Sequence, residues 1–79
     1  MKEEICMPNL GMTMLEGKVG EWYVKDGDVI KPGTDIAEVY SDSGKLQKTM
    51  QSSTGGRVRL LVELDALIEL GTPIAVIEE

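Results

Sequence analysis

The chain has 79 residues, and 8 Lys and Arg against 14 Asp and Glu leave a formal net charge of −6. This acidic balance argues against binding to nucleic acid or to an anionic membrane surface, both of which require clustered cations. With no histidine and one cysteine, Cys6, the chain lacks histidine-based nucleophilic pairs, most zinc sites and any internal disulfide. We therefore expect a single cytoplasmic domain, spanning 1–79, that carries or binds something and is not an enzyme on its own.

Turn-forming residues interrupt the sequence at short intervals, and runs rich in Val and Ile lie between them. This pattern is typical of the short strands of a β-sandwich or barrel. Cys6 and Trp22 fall within predicted strands and are expected in the core. The expected strands are Glu3–Met7, Lys18–Val24, Asp35–Tyr40, Lys45–Ser53, Arg57–Glu63 and Pro73–Glu78, with shorter pieces around Val29-Ile30 and Leu67-Ile68.

The segment 57–70 is ambiguous, because its leucines recur at helical spacing before Gly71, a residue that commonly ends a helix. An internal repeat argues against a helix. Shifting the chain by 38 residues places 24–39 on 62–77, and six of the 16 pairs are identical. The first copy contains Gly27 and Pro32, which helix interiors rarely tolerate. Both copies should therefore form a strand, a turn and a strand.

The two copies differ at one tight turn, where Gly27 of the first corresponds to Asp65 of the second. Glycine at such a turn is typical of a positive φ, and Asp tolerates that conformation better than most residues. The repeat therefore predicts a positive φ, with modest local strain, at Asp65.

The segment 41–56 lies between the copies and has no counterpart in the repeat. Its first residues, Ser41-Asp42-Ser43-Gly44, are turn formers that lead into Lys45 and a further strand. This order predicts a hairpin at the junction of the two halves, with Lys45 at or just past its tip. A lysine there is accessible to a modifying enzyme, although an ordinary solvated charge is the alternative interpretation. Lys48 is a weaker candidate because it lies within the strand.

Three blocks of the sequence, 7–28, 31–39 and 71–77, resemble the lipoyl domains of 2-oxo acid dehydrogenase complexes. The run Leu10-Gly11-Met12-Thr13-Met14 is most similar to the pyruvate and acetoin branches of that family. The resemblance implies an all-β fold, a flattened β-barrel or sandwich. Two four-stranded antiparallel sheets, related by a pseudo-two-fold axis, would form it.

The same resemblance implies that lipoic acid is attached by an amide bond to Lys45, in a domain of a dihydrolipoamide acyltransferase. No metal is expected, because the chain has no histidine and the turn Asp26-Gly27-Asp28 lacks the other ligands of a calcium loop. The implied partners are a lipoate ligase or transferase, a thiamine-diphosphate-dependent decarboxylase, the acyltransferase core and dihydrolipoyl dehydrogenase. The lipoyl arm would carry acyl groups and electrons among the last three. Partner recognition is expected from the hairpin residues Asp42, Ser43 and Gly44 and from the neighbouring loop residues Leu10, Gly11, Met12, Thr13 and Met14.

One departure from the family pattern affects the modified lysine. The family places it directly after an acidic residue, whereas Ser43 and Gly44 separate Asp42 from Lys45 here. Counting back from Gly56 puts Lys45 in the lysine position, and counting forward from 37–39 puts Ser43 there, so the hairpin is two residues longer. Two alternatives stay open. One is an unmodified interaction or assembly module; the other is a biotin carboxyl carrier domain, although biotinyl lysines normally lie between methionines.

Overall fold

A computed structural model describes residues 2–11 and 15–79, and this part of the chain is all-β. Its strands form two four-stranded antiparallel sheets, β1-β8-β6-β3 and β5-β4-β2-β7. No helix within the described ranges is long and apolar enough to cross a membrane. The expected fold class is therefore confirmed. The strands are β1 Lys2–Cys6, β2 Glu16–Trp22, β3 Val29–Ile30, β4 Asp35–Ser41, β5 Gln47–Gln51, β6 Gly56–Leu60, β7 Ile68–Glu69 and β8 Pro73–Glu78.

The ambiguous segment 57–70 is strand, turn and strand, as the internal repeat predicts. Its helical leucine spacing is misleading, because Leu61, Leu64 and Leu67 all lie exposed on the surface. The strand predicted at Arg57–Glu63 was too long, since β6 ends at Leu60. The strand after the hairpin was also predicted too long, because β5 begins only at Gln47.

Hydrogen bonds repeat across the two halves and establish the pseudo-two-fold relation. The Gly27 N–H donates to the Val58 carbonyl at 2.7 Å, and in the other half the Asp65 N–H donates to the Val19 carbonyl at 2.9 Å. Strands β1, β8, β6 and β3 correspond in order to β5, β4, β2 and β7. At the paired turns, φ is 94° for Gly27 and 63° for Asp65. The positive φ predicted for Asp65 is therefore confirmed.

An aliphatic core fills the space between the sheets. Equivalent positions of the two repeats contribute its side chains. The fully buried side chains include Ile36 and Ala37 in β4 and their counterparts Ile74 and Ala75 in β8. Cys6 was expected in the core but is only half-buried, because it follows a register shift at the end of β1. Trp22 is partly buried and packs against the core. The buried core cluster consists of Ile5, Met7, Val19, Ile30, Ile36, Ala37, Val39, Val58, Ile74, Ala75 and Ile77.

A carboxylate on β1 joins the edges of the two sheets at one end of the molecule. Glu3 accepts backbone and side-chain hydrogen bonds from Ser53 and Thr54, at distances of 2.5 to 3.2 Å. Burial raises the pKa of the Glu3 carboxyl, but these hydrogen bonds outweigh burial and leave the pKa below its ordinary value. Because Ser53 follows β5, this contact fixes the start of β1 at the end of β5 that lies away from the central hairpin.

We expect Asp65→Val to lower the free energy of unfolding by about 1–2 kcal/mol, because a β-branched residue is strained at positive φ. Asp65→Gly should not destabilise the domain, since glycine adopts this conformation without steric cost. Urea unfolding of both variants measures the effect, with Glu63→Val on the same exposed turn as the control. Equal losses in Asp65→Val and Glu63→Val would show that backbone strain is not the cause.

We expect Glu3→Gln to lower stability at neutral pH by about 1–2 kcal/mol, because it removes a charged acceptor of several hydrogen bonds. A lowered carboxyl pKa contributes stability that is full above the ordinary value of 4.5 and is lost as the pH falls through the folded-state value. The difference from wild type should therefore shrink in acid. Thermal unfolding across pH tests this, with exposed Glu4→Gln as control; a pH-independent difference would contradict the prediction.

Candidate functional site: the central hairpin

Strands β4 and β5 are joined by a four-residue loop that contains Lys45. The last backbone bond before the loop runs from the Ser41 N–H to the Leu46 carbonyl at 2.9 Å, so residues 42–45 form the connection. The Gly44 N–H donates to the Ser41 carbonyl, also at 2.9 Å, and closes a β-turn with Asp42 and Ser43 in its central positions. Gly44 has a φ of 79°, and the chain leaves the turn through Lys45.

Two serine hydroxyls accept hydrogen bonds from the N–H groups of Lys45 and Leu46, at the end of the loop that leads into β5. Ser41 is buried, with 2% of its surface exposed, and its Oγ accepts a hydrogen bond from the Leu46 N–H at 3.2 Å. The Ser43 Oγ lies 3.1 Å from the Ser41 Oγ and accepts a longer bond of 3.4 Å from the Lys45 N–H. The backbone on either side of the lysine side chain is therefore tied to this hydroxyl pair.

The loop presents an exposed amine and not a cleft. Lys45 is exposed, as are its neighbours from Asp42 to Leu46. The most enclosed of the surface recesses is distant from the hairpin and includes Asp26, Arg57 and Glu78 in its lining. Within the described ranges, no group of three or more His, Cys, Asp or Glu side chains could hold a metal. The arrangement suits covalent attachment by an external enzyme better than catalysis.

A polar network on the outer face of the sheet braces the two hairpin strands. The Glu38 carboxylate of β4 accepts hydrogen bonds from the Thr49 hydroxyl of β5 at 2.6 Å and from the Tyr23 hydroxyl at 3.3 Å. Burial, followed by the nearby carboxylates of Glu21 and Glu38, raises the pKa of Tyr23. The phenol therefore stays a hydrogen-bond donor throughout the neutral range. These contacts give the exposed loop a rigid base.

The second lysine, Lys48, lies within β5, as the sequence predicts. It pairs with Val39 of β4 in the strand ladder and is exposed because β5 is an edge strand. Its backbone is thus held in a regular sheet, whereas that of Lys45 is in a connecting loop. Both lysine side chains are exposed, and the ranking of Lys48 below Lys45 stays a prediction.

The loop after β1 reaches the hairpin, in agreement with the expectation from the family resemblance. A Cβ added to Gly11 would lie 2.8 Å from the Leu46 Cδ1, so the two segments are in contact at this point. Leu10 is partly buried and packs against the core. Three further residues expected to take part in recognition, Met12, Thr13 and Met14, lie outside the described residues. A recognition role for this loop stays a prediction.

Comparison with known proteins agrees with this geometry. The biotin–lipoyl family model, described as "Biotin-requiring enzyme", matches residues 3–77. The chain is 38% identical over 95% of its length to the mitochondrial dihydrolipoyllysine-residue acetyltransferase component of the pyruvate dehydrogenase complex of Dictyostelium discoideum. It is 35% identical over its whole length to the corresponding component of Zymomonas mobilis. A pyruvate dehydrogenase E1 component subunit beta of Rhizobium meliloti is 32% identical over 98% of the chain.

The chain therefore belongs to the biotin–lipoyl family of small cofactor-carrying domains. Its similarity to the dihydrolipoyllysine-residue acetyltransferases identifies it, within that family, as a lipoyl domain. It spans only 12%, 18% and 17% of the three relatives named above. The similarity thus concerns one domain of much longer proteins, and the biotin alternative receives less support.

We expect Gly44→Ala to destabilise the hairpin by about 1 kcal/mol, because a Cβ is disfavoured at a φ of 79° although the space beside it is open. Gly44→Asn is the matched variant, since Asn tolerates positive φ and should cost less. Urea unfolding with amide hydrogen exchange of residues 41–47 measures both effects. Wild-type stability and exchange in Gly44→Ala would show that the loop does not need this conformation.

Proposed function

We propose that this chain is a lipoyl carrier domain in which lipoic acid is attached to the Nζ of Lys45. The observation that carries the proposal is the position of Lys45. It is an exposed lysine in the loop that joins two pseudo-symmetric halves, in a chain similar to dihydrolipoyllysine-residue acetyltransferases. A carrier needs a stable platform and an accessible attachment point, and the exposure of Lys45 on a loop between two sheets supports this role.

The chemistry of the site fits this cofactor. Lys45 would hold the lipoyl group through an amide bond between its Nζ and the carboxyl carbon of lipoate. The amine would lose a proton, and the group with which a ligase had activated that carboxyl would leave. When bound, the lipoyl group supplies a dithiolane that can be reduced and acylated. The protein's own contribution is to hold the amine outside the surface on the braced strands β4 and β5.

The placement of the hairpin suits a tethered carrier. Glu3 of β1 contacts the segment after β5, and Lys2 pairs with Glu78 of β8. Both ends of the described chain therefore lie at the end of the molecule away from Lys45. If flexible chain continues from either end, the attached group can approach several active sites at a high effective concentration.

The relatives, which are named as components of pyruvate dehydrogenase complexes, support a proposal for the parent protein and its partners. We propose that the domain belongs to a dihydrolipoamide acyltransferase of a pyruvate- or acetoin-type complex in the cytoplasm. Its partners would be a lipoate ligase or transferase, the thiamine-diphosphate-dependent decarboxylase, the acyltransferase core and dihydrolipoyl dehydrogenase. Recognition by these enzymes would use Asp42, Ser43 and Gly44 together with the loop that includes Leu10 and Gly11.

We expect the wild-type domain, produced with a lipoate ligase and lipoate, to gain the mass of one lipoyl group, because Lys45 is exposed in the loop. Lys45→Arg should abolish the gain, and the control Lys48→Arg should retain it. Intact-mass analysis followed by peptide mapping measures the site directly.

Three outcomes would contradict the proposal. Absence of any mass gain in the wild type would favour the unmodified interaction module. Gain that persists in Lys45→Arg and disappears in Lys48→Arg would move the attachment site to β5. Reaction with streptavidin after expression with a biotin ligase, in place of lipoylation, would favour the biotin carrier.

A further inference from the structure

We propose that Ser41 is a positioning residue for the modification of Lys45. Its buried hydroxyl, together with that of Ser43, would hold the widened loop in the form that the modifying enzyme accepts. This inference rests on the proposed lipoyl attachment and deepens it, because it concerns how this chain presents a lysine from a loop two residues longer than the family pattern.

The hydrogen bonds around Lys45 carry the argument. The amide N–H of Lys45 donates to the Ser43 Oγ, and the next N–H, that of Leu46, donates to the Ser41 Oγ. The two peptide groups that flank the lysine α-carbon are therefore both held by serine hydroxyls. The turn bond of Gly44 fixes only the stretch before the lysine.

A hydroxyl is well suited to this arrangement. It has one donor and two acceptor sites, so one serine can donate across the 3.1 Å separation while both oxygens still accept from the backbone. Ser41 is 2% exposed, which shields its hydrogen bonds from competition with water. Ser43 is exposed, and its 3.4 Å bond to the Lys45 N–H is long. Ser41 therefore makes the more protected hydrogen bonds of the pair. Ser43 connects the Ser41 hydroxyl to the Lys45 N–H.

The effect on modification follows from preorganisation. A ligase that binds the loop must place the Nζ at its activated acyl group, and a loop already in one conformation loses less entropy on binding. Without the Ser41 hydroxyl, residues 44–46 would sample other arrangements. The ligase would then react with a fraction of the domain molecules, raising the apparent KM while the kcat stays close to that of wild type.

The test compares Ser41→Ala with Ser41→Thr, which keeps the hydroxyl, and with Ser52→Ala. Ser52 is the matched control, because it is also buried and its Oγ bonds to the Lys31 carbonyl at the end of β5 away from the hairpin. Ser43→Ala is a second loop variant, at an exposed position where removal of the hydroxyl leaves no buried cavity. The measurements are ligase kinetics followed by intact mass, amide hydrogen exchange of Leu46 in the unmodified domain, and global unfolding in urea.

We expect Ser41→Ala to lower kcat/KM for lipoylation about fivefold, through KM, and to accelerate Leu46 exchange by a similar factor. Ser43→Ala should lower kcat/KM in the same direction, and Ser41→Thr should restore most of it. Ser52→Ala should lower global stability without changing the kinetics. Wild-type kinetics in both Ser41→Ala and Ser43→Ala, or an equal loss in Ser52→Ala, would overturn the inference.

Failure of the proposed function gives a different result. If the wild-type domain is not lipoylated at all, the carrier hypothesis fails, and so does the role of Ser41 in modification. The exchange of Leu46 in the unmodified domain still decides whether the Ser41 hydroxyl orders the loop. Wild-type lipoylation with unchanged Ser41→Ala and Ser43→Ala kinetics rejects only the positioning role.

Discussion

The packing of aliphatic side chains between two small sheets is the constraint on which the whole structure depends. A chain of 79 residues buries only about 60% of the surface that it exposes when unfolded, so its core has few residues to spare. The pseudo-two-fold arrangement answers this constraint, because each half supplies matched residues such as Ile36 and Ile74, both fully buried. The core thereby becomes shared by the halves, and neither could form it alone.

The symmetry is broken at the two ends of the molecule, where the functions differ. Glu3 pairs with Ile77 in β1–β8, and Lys48 pairs with Val39 in the corresponding β5–β4 ladder. A carboxylate thus occupies one position and a lysine its counterpart. Glu3 can accept hydrogen bonds from the backbone of the loop after β5, whereas an ammonium group only donates. Glu3 therefore ties the end of the molecule where both ends of the described chain lie, whereas Lys48 leaves its own position without a carboxylate acceptor.

Much of this fold could be predicted from the sequence because of the repeat. The identical pairs between 24–39 and 62–77 argue against the helix that the leucine spacing suggests. They also predict that Asp65 adopts a positive φ, as Gly27 does. Local periodicity failed there because Leu61 and Leu64 lie on the surface of a turn, where spacing reflects no buried face.

The side-chain contacts that hold the two ends of the molecule were beyond sequence reasoning for a physical reason. Glu3 and Ser53 are separated by 50 residues, and no local pattern marks a carboxylate that will meet a distant loop. Ser41 was recognised as a turn former, which is correct for its backbone. Its hydroxyl acquires a second role only because the side chain is buried at the end of β4, and burial at a strand end depends on how the sheets pack.

The structure also explains why two ways of counting give different residues at the lysine position. The β-turn proper runs from Ser41 to Gly44, with Asp42 and Ser43 at its centre, so forward counting reaches Ser43. Backward counting from Gly56 follows β5 and reaches Lys45. Both counts describe the same hairpin, in which Gly44, at positive φ, and Lys45 lie between the centre of the β-turn and Leu46.

Lys45 lies in the connection between β4 and β5, outside the backbone ladder of the two strands. The hydroxyls of Ser41 and Ser43 supply the acceptors that the N–H groups of Leu46 and Lys45 then need. The two peptide N–H groups that flank the α-carbon of Lys45 are thus held by side chains and not by the strand ladder. The conformation of the chain at this lysine therefore depends on two serine hydroxyls, one of them buried at the end of β4.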